Sequence, residues 1–271
     1  IGLALNLEED FIGAIILGFI EGATEFIPVS SSGHLIITRF VLGLDSGGLA
    51  FDAVLQLATS CALIVYFWKD IVHLLKSVFL WVIRKEISRV DQTMVSAIVI
   101  GTIPAVVFGL LLEKQMDTVF RNVHLVALTL VLGSILFWYA QKVATKNKVL
   151  SLGRGIIIGF FQCLALVPGV SRSGATISGG LITGLSQEEA TRFSFLLSIP
   201  VLFGAGLKKL FEVRHELLTT GFGASLLVGS LVAFVTGLLA INFLIRYLKT
   251  HILNIFIWYR VVVAIIILFL W

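Results

Sequence analysis

Apolar residues gather in blocks at Leu49–Trp68, Thr93–Leu112, Leu125–Ala140, Phe222–Ile245 and Ile252–Trp271. Each approaches the ~20 residues that carry an α-helix across a bilayer, so these are read as spans and not as one-sided core helices. A shorter run, Phe193–Leu207, is a sixth. Two stretches break the pattern. Phe11–Gly48 and Gly153–Thr191 turn polar in their middles, too polar for two lipid-facing spans each, and both are predicted to form re-entrant helical hairpins.

Basic residues orient these elements. Lys69, Lys76, Arg84, Lys85 and Arg89 fill one connection, Lys142, Lys146, Lys148 and Arg154 another, and Arg246 and Lys249 mark a third. The turns around Glu113–Asn122 and Lys208–Glu216 also carry acids. Placing the three basic segments in the cytoplasm makes all spans alternate. Leu49–Trp68 then runs inward and Phe193–Leu207 outward, so the hairpins enter from opposite sides and both termini lie outside. Counting each hairpin as a full span would break that alternation. The expected fold is an all-α polytopic membrane protein of six transmembrane helices plus two re-entrant hairpins in an inverted-topology repeat. Residues 1–140 form the first half (hairpin 11–48, spans about 49–68, 93–112 and 124–140). Residues 141–271 form the second (hairpin 153–191, spans about 193–207, 222–245 and 252–271), integrated with the first as one domain.

Composition agrees. The 271 residues are 58% hydrophobic and 13% charged, against about 25% charged in soluble domains. The net charge of +4 comes from short connections and implies no nucleic-acid partner. Cys61 and Cys163 sit in apolar stretches, which argues against a disulfide framework or a metal spacing. No cleavable signal peptide is expected, and a start at Ile1 instead of Met points to processing or truncation of the first residues.

A shift of 141 positions lays Ile15–Leu44 over Ile156–Leu185 without a gap, with eleven of thirty positions identical. Val29-Ser30 and Ser32-Gly33 fall on Val170-Ser171 and Ser173-Gly174, which chance hydrophobic similarity does not produce. The chemistry of the halves differs, however. Glu21 corresponds to Gln162, Glu25 to Leu166, Ser31 to Arg172 and His34 to Ala175.

The first polar segment reads Glu21-Gly-Ala-Thr-Glu25-Phe-Ile-Pro28-Val-Ser30-Ser31-Ser32-Gly33-His34. Glu21 and Glu25, four apart, share a helix face. Two like charges at membrane depth are costly unless a proton or cation intervenes, and a hard divalent ion suits carboxylates. Pro28 should break the helix, which restarts near His34, leaving backbone N–H groups and hydroxyls as an anion site. His34 is a candidate nucleophile, acid or base. The second segment, Pro168-Gly169-Val-Ser171-Arg172-Ser173-Gly174-Ala-Thr176, breaks and restarts likewise. Arg172 there matches phosphate geometry, and within the membrane it needs a carboxylate such as Glu25 or a bound anion. If the inverted hairpins meet, they build one composite site for chemistry on a phosphate group.

These two segments closely resemble those of the bacterial undecaprenyl-diphosphate phosphatase family, also known as bacitracin-resistance proteins. The similarity extends to Ile103-Pro104-Ala105-Val106 and Tyr259-Arg260. The resemblance implies hydrolysis of a C55 polyprenyl diphosphate to the monophosphate and phosphate, recycling the lipid carrier of peptidoglycan and conferring bacitracin resistance. It implies a Mg²⁺ or Ca²⁺ cofactor and the bacterial inner membrane, with the site open outward. Glu21, Glu25, Ser31, His34 and Arg172 are then the catalytic set, Glu21 and Glu25 the metal ligands, and Ser30, Ser171, Arg172, Ser173 and Thr176 the substrate contacts. The nucleophile is Ser31 activated by Glu25, His34, or a metal-activated water; the first is favoured, with His34 protonating the leaving group. A transporter or flippase of a polyprenyl phosphate or other anion is the competing reading, because broken helices in inverted repeats are also transporter architecture. Gly-rich faces at Gly174–Gly184 and Gly204–Gly206 permit close helix packing, within a subunit or between the subunits of a homodimer.

Overall fold

The computed structural model describes residues 2–43, 48–112, 122–219 and 223–270. Most of the turn expected at Glu113–Asn122 lies outside these residues, as do Leu44, Phe222 and Trp271. The described chain is helical, in the order α1 (Gly2–Phe26), α2 (Ser31–Leu42), α3 (Gly48–Tyr66), α4 (Trp68–Val82), α5 (Arg89–Leu111), α6 (Val123–Val143), α7 (Leu152–Cys163, extended by a 3₁₀ turn at Leu164–Leu166), α8 (Arg172–Ile182), α9 (Gln187–Thr219), α10 (Gly223–Tyr247) and α11 (Asn254–Leu270). Among the described residues, four helices are long and apolar enough to cross a membrane: α5, α6, α10 and Gln187–Glu212 of α9. A fifth candidate is the pair α3 and α4, bent by 78°. The helix Asn254–Phe269 is apolar but shorter. The chain is thus a multi-pass helical membrane protein.

The distribution of side chains explains why. On α10, Leu227, Leu231, Val235, Leu239 and Phe243 recur every fourth residue and are all exposed. The opposite face buries Gly229, Ala233, Gly237 and Ala240. An apolar exterior over an interior of small residues is the arrangement that lipid favours, since helices associate in it by close packing. α1 packs chiefly along this small face of α10, and α7 packs chiefly along α5. At these crossings Gly18 meets the Gly229 backbone and Gly159 meets that of Gly101. The two sequence-equivalent glycines thus make equivalent close approaches.

Three elements differ from the sequence expectation. The first hairpin leg starts before residue 11, because α1 begins at Gly2. Lys69–Asp91 is not a simple connection: α4 occupies Trp68–Val82, turned sharply from α3. The span expected at 193–207 is the middle of a 33-residue helix, Gln187–Thr219, which continues through Pro200.

Candidate active site

Both predicted breaks are present. α1 ends at Phe26 and α2 begins at Ser31; the 3₁₀ turn ends at Leu166 and α8 begins at Arg172. The N-cap of each restarted helix is a serine at the repeat offset, Ser30 (φ 78°) and Ser171 (φ 73°). Positive φ costs a non-glycine residue ~1–3 kcal/mol and persists only where surroundings enforce it. Here they do. Ser30 Oγ accepts from Gly33 N at 3.4 Å and, across the hairpins, from Gly169 N at 3.0 Å. Its carbonyl accepts from His34 N at 3.2 Å and His34 Nδ1 at 2.7 Å. Ser171 Oγ accepts from Gly174 N at 3.3 Å.

Arg260 of α11 ties the breaks together. Its side chain is fully buried. The guanidinium donates to Gly169 O at 2.8 Å, Val170 O at 2.9 Å and Pro28 O at 3.4 Å, and to Thr129 O, Leu130 O and Ser134 Oγ of α6. It also lies over the Phe137 ring, 4.6 Å from the centroid. A helix break inside a membrane leaves carbonyls without intrahelical donors, and this arginine supplies them.

With the breaks fixed, one carboxylate becomes the centre of the site. Glu25 Oε2 accepts from Ser31 Oγ at 2.5 Å, and Glu25 Oε1 accepts from Arg172 Nη2 at 2.8 Å. The Arg172 and Glu25 side chains are 9% and 7% exposed. They face a cavity of about 610 Å³ whose polar end carries Glu21, Glu25, Ser30, Ser31, Ser171 and Arg172. Its flanks are apolar, from Leu35, Ala105, Leu166 and Val201 to Val106 and Leu110. The last two are exposed residues of α5, so the cavity runs from a charged centre to an exposed apolar edge. Lys208 and Lys209, both paired with Glu212, also line it.

Several polar groups here lack a partner among the described residues. Gln162 is 2% exposed, and neither its Oε1 nor its Nε2 is hydrogen-bonded; the same holds for Nε and Nη1 of Arg172. Glu21 is buried, and no hydrogen bond links it to another described residue. The free guanidinium edge suits an anion and the carboxylate suits a cation. Among the described residues no three His, Cys, Asp or Glu side chains group as metal ligands. Glu21 and Glu25 nevertheless fit a hard divalent ion, which is commonly held by two carboxylates with water and phosphate oxygens completing the shell.

The structure therefore brings together Glu21, Glu25, Ser30, Ser31, Ser171 and Arg172. Three expected site residues do not line the cavity. Ser173 and Thr176 are fully buried, and Thr176 Oγ1 lies 2.5 Å from Ser194 Oγ and donates to Arg172 O. His34 uses Nδ1 on Ser30 O and has Nε2 2.8 Å from Tyr259 Oη. Because a carbonyl only accepts, Nδ1 carries a proton, and in the neutral ring Nε2 then accepts from the tyrosine. Sequence reasoning missed the structural role of Arg260 and the placement of Gln162 and Asp52 on the cavity wall. An intramembrane arginine and the repeat mate of Glu21 were the available signals.

The sequence model of the bacitracin resistance protein BacA matches residues 14–266. The undecaprenyl-diphosphatase of Chloroherpeton thalassium is 42% identical over 96% of this chain and 96% of its own length. Those of Thermobifida fusca and Mycolicibacterium smegmatis are also 42% identical, over 95% of this chain and 89% and 95% of their own lengths.

Proposed function

The chain belongs to the bacitracin resistance protein BacA family, and from that premise we propose that its cavity hydrolyses undecaprenyl diphosphate, the compound for which its relatives are named. It is a phosphatase of the cell-wall lipid carrier, returning the monophosphate for peptidoglycan synthesis and thereby conferring bacitracin resistance. The observation that carries the mechanism is Glu25, held between Ser31 and Arg172.

Ser31 Oγ attacks the terminal phosphorus while its proton passes to Glu25 Oε2. The bond from phosphorus to the bridging oxygen breaks, and undecaprenyl monophosphate leaves. That leaving group is itself a phosphate and departs as an anion, so no general acid is needed. This suits the position of His34, which acts through the Ser30 carbonyl as a positioning residue. Arg172 presents Nε and Nη1 to the phosphoryl oxygens, where charge is gathered in the transition state, and Ser171 and Ser30 hold the helix starts whose N–H groups face it. Water then cleaves the phosphoserine, with Glu25 returning the proton to Ser31. Glu21 and Glu25 would hold a Mg²⁺ or Ca²⁺ ion, which would supply charge neutralisation for the diphosphate. The isoprenoid lies along the apolar flank towards Val106 and Leu110.

For topology, we read α3, α5, α6, α9, α10 and α11 as the six spans and the pairs α1–α2 and α7–α8 as re-entrant hairpins. The matching serine caps and glycine crossings support this reading. The protein then sits in the bacterial inner membrane with its site open outward. The test is phosphate release from C55 diphosphate by purified protein, with and without chelator, for wild type and Glu25→Gln. Activity that requires the metal and collapses in the variant is expected. Movement of the lipid between leaflets without phosphate release would replace the phosphatase by a flippase.

A further inference from the structure

Gln162 stands at the end of α7, ten residues before Arg172, as Glu21 stands ten before Ser31. Both are buried, both line the cavity, and neither has a hydrogen-bond partner among the described residues. A carboxamide sealed from water with both polar atoms unpaired is costly, by the full desolvation of a donor and an acceptor. A neighbour in the same predicament points to the reason: Nε and Nη1 of Arg172 are also buried and unpaired. Three donors and one neutral acceptor are thus held bare around a polar cavity end whose carboxylates supply no bond to them.

We propose that Gln162 is a further substrate-binding residue, its Nε2 donating to a phosphoryl oxygen of the diphosphate beside the free edge of Arg172. The repeat explains the residue type. A second glutamate at this position would repel the diphosphate and compete with it for Arg172. An apolar residue would offer nothing. The amide keeps the size of its repeat mate, carries no charge, and donates to an anion.

This inference rests on the phosphatase reading, and the experiment separates the two. Wild type, Gln162→Met and Gln162→Glu are compared in detergent for phosphate release from C55 diphosphate, inhibition by inorganic phosphate, and thermal unfolding. No release by wild type would sink the phosphatase reading itself. Given an active wild type, Gln162→Met keeps the side-chain length and removes an unpaired amide. It is expected to raise KM and weaken phosphate inhibition by roughly tenfold or more, the usual loss for a hydrogen bond to a charged group, while raising the melting temperature. Gln162→Glu is expected to raise KM further. Opposite signs for binding and stability are what a structural glutamine would not give. A Gln162→Met enzyme with KM within about twofold of wild type, or one that melts lower with activity lost in proportion, overturns the assignment; so does a Gln162→Glu enzyme that binds substrate normally.

Discussion

A methyl group added at Gly159 tests whether the hairpins are clamped as the structure has them. A Cβ built there would lie 2.3 Å from Gly101 O, and one built at Gly18 would lie 2.3 Å from Gly229 O. Carbon meets a carbonyl oxygen comfortably at ~3.3 Å, so each crossing must open by about 1 Å. The opposing atoms are backbone on both sides, leaving no side chain to swing away. Overpacking of this kind costs ~1–3 kcal/mol, and the better helix propensity of alanine returns up to ~1, for a net loss of about 1–2 kcal/mol. The larger effect falls on chemistry, because α7 leads into the Arg172 break and α1 carries Glu25 itself. A ~1 Å displacement of reacting groups lowers turnover by about a hundredfold. Gly18→Ala and Gly159→Ala should therefore lose similar amounts of stability and activity, measured by thermal unfolding in detergent and by phosphate release. Gly153→Ala serves as control, since its Cβ would meet nothing within 4 Å. Normal melting and turnover in both variants would refute the tight crossings, and damage in one alone would refute their equivalence.

Glu25→Gln and Ser31→Ala should each reduce phosphate release by ~10²–10⁴-fold, the range for removing a general base or its nucleophile, with Glu25→Gln still able to accept from Arg172 and so to fold; a phosphorylated enzyme trapped in Ser31→Ala would contradict the scheme. Arg260→Met strips donors from the three break carbonyls of Pro28, Gly169 and Val170 and should cost at least ~3 kcal/mol by chemical or thermal unfolding; unaltered unfolding would remove its clamping role. Thr176→Val should leave KM unchanged and cost ~1 kcal/mol of stability, since its hydroxyl bonds within the core; a KM effect without destabilisation would return it to the substrate site.

Punctuation made much of this legible in the sequence. Proline after each apolar run, then serine and glycine, located both breaks, and the 141-residue offset linked them. Charge alone narrowed the partner of Arg172 to a carboxylate such as Glu25 or a bound anion, because an arginine is not tolerable unpaired at membrane depth; the contact with Glu25 is what the structure adds. Less legible was which face each residue takes. Ser173 follows Arg172 by one position and is turned about 100° from it, while Thr176 stands a full turn further along α8, bonded to the carbonyl behind it. Both look like phosphate donors in a string of letters, yet one register carries only Arg172 into the cavity. α4 was hidden because Lys69, Asp70, His73 and Lys76 read as a connection when they form the wet side of a helix. Arg260 could be noticed but not explained, since its partners are main-chain carbonyls that leave no trace in residue identity.

The asymmetry of the two halves follows from what they share. Ser30 and Ser171 both cap with positive φ, Gly43 and Gly184 both take positive φ at the ends of the following helices, and the Gly18 and Gly159 crossings match. Backbones this alike bring position 31 and position 172 towards the same cavity from opposite hairpins. Had the side chains stayed alike too, two copies of Glu21 and Glu25 would face one another in a low dielectric, or two arginines would, and neither arrangement is tolerable without counter-ions. Placing the acids on one hairpin and the arginine on the other lets the site satisfy itself through the 2.8 Å contact of Arg172 with Glu25. That contact uses one guanidinium nitrogen and leaves Nε and Nη1 free. The same divergence that makes the folded state affordable thus leaves the groups a phosphate needs, which is why a duplicated helix break yields one reactive site and not two binding sites.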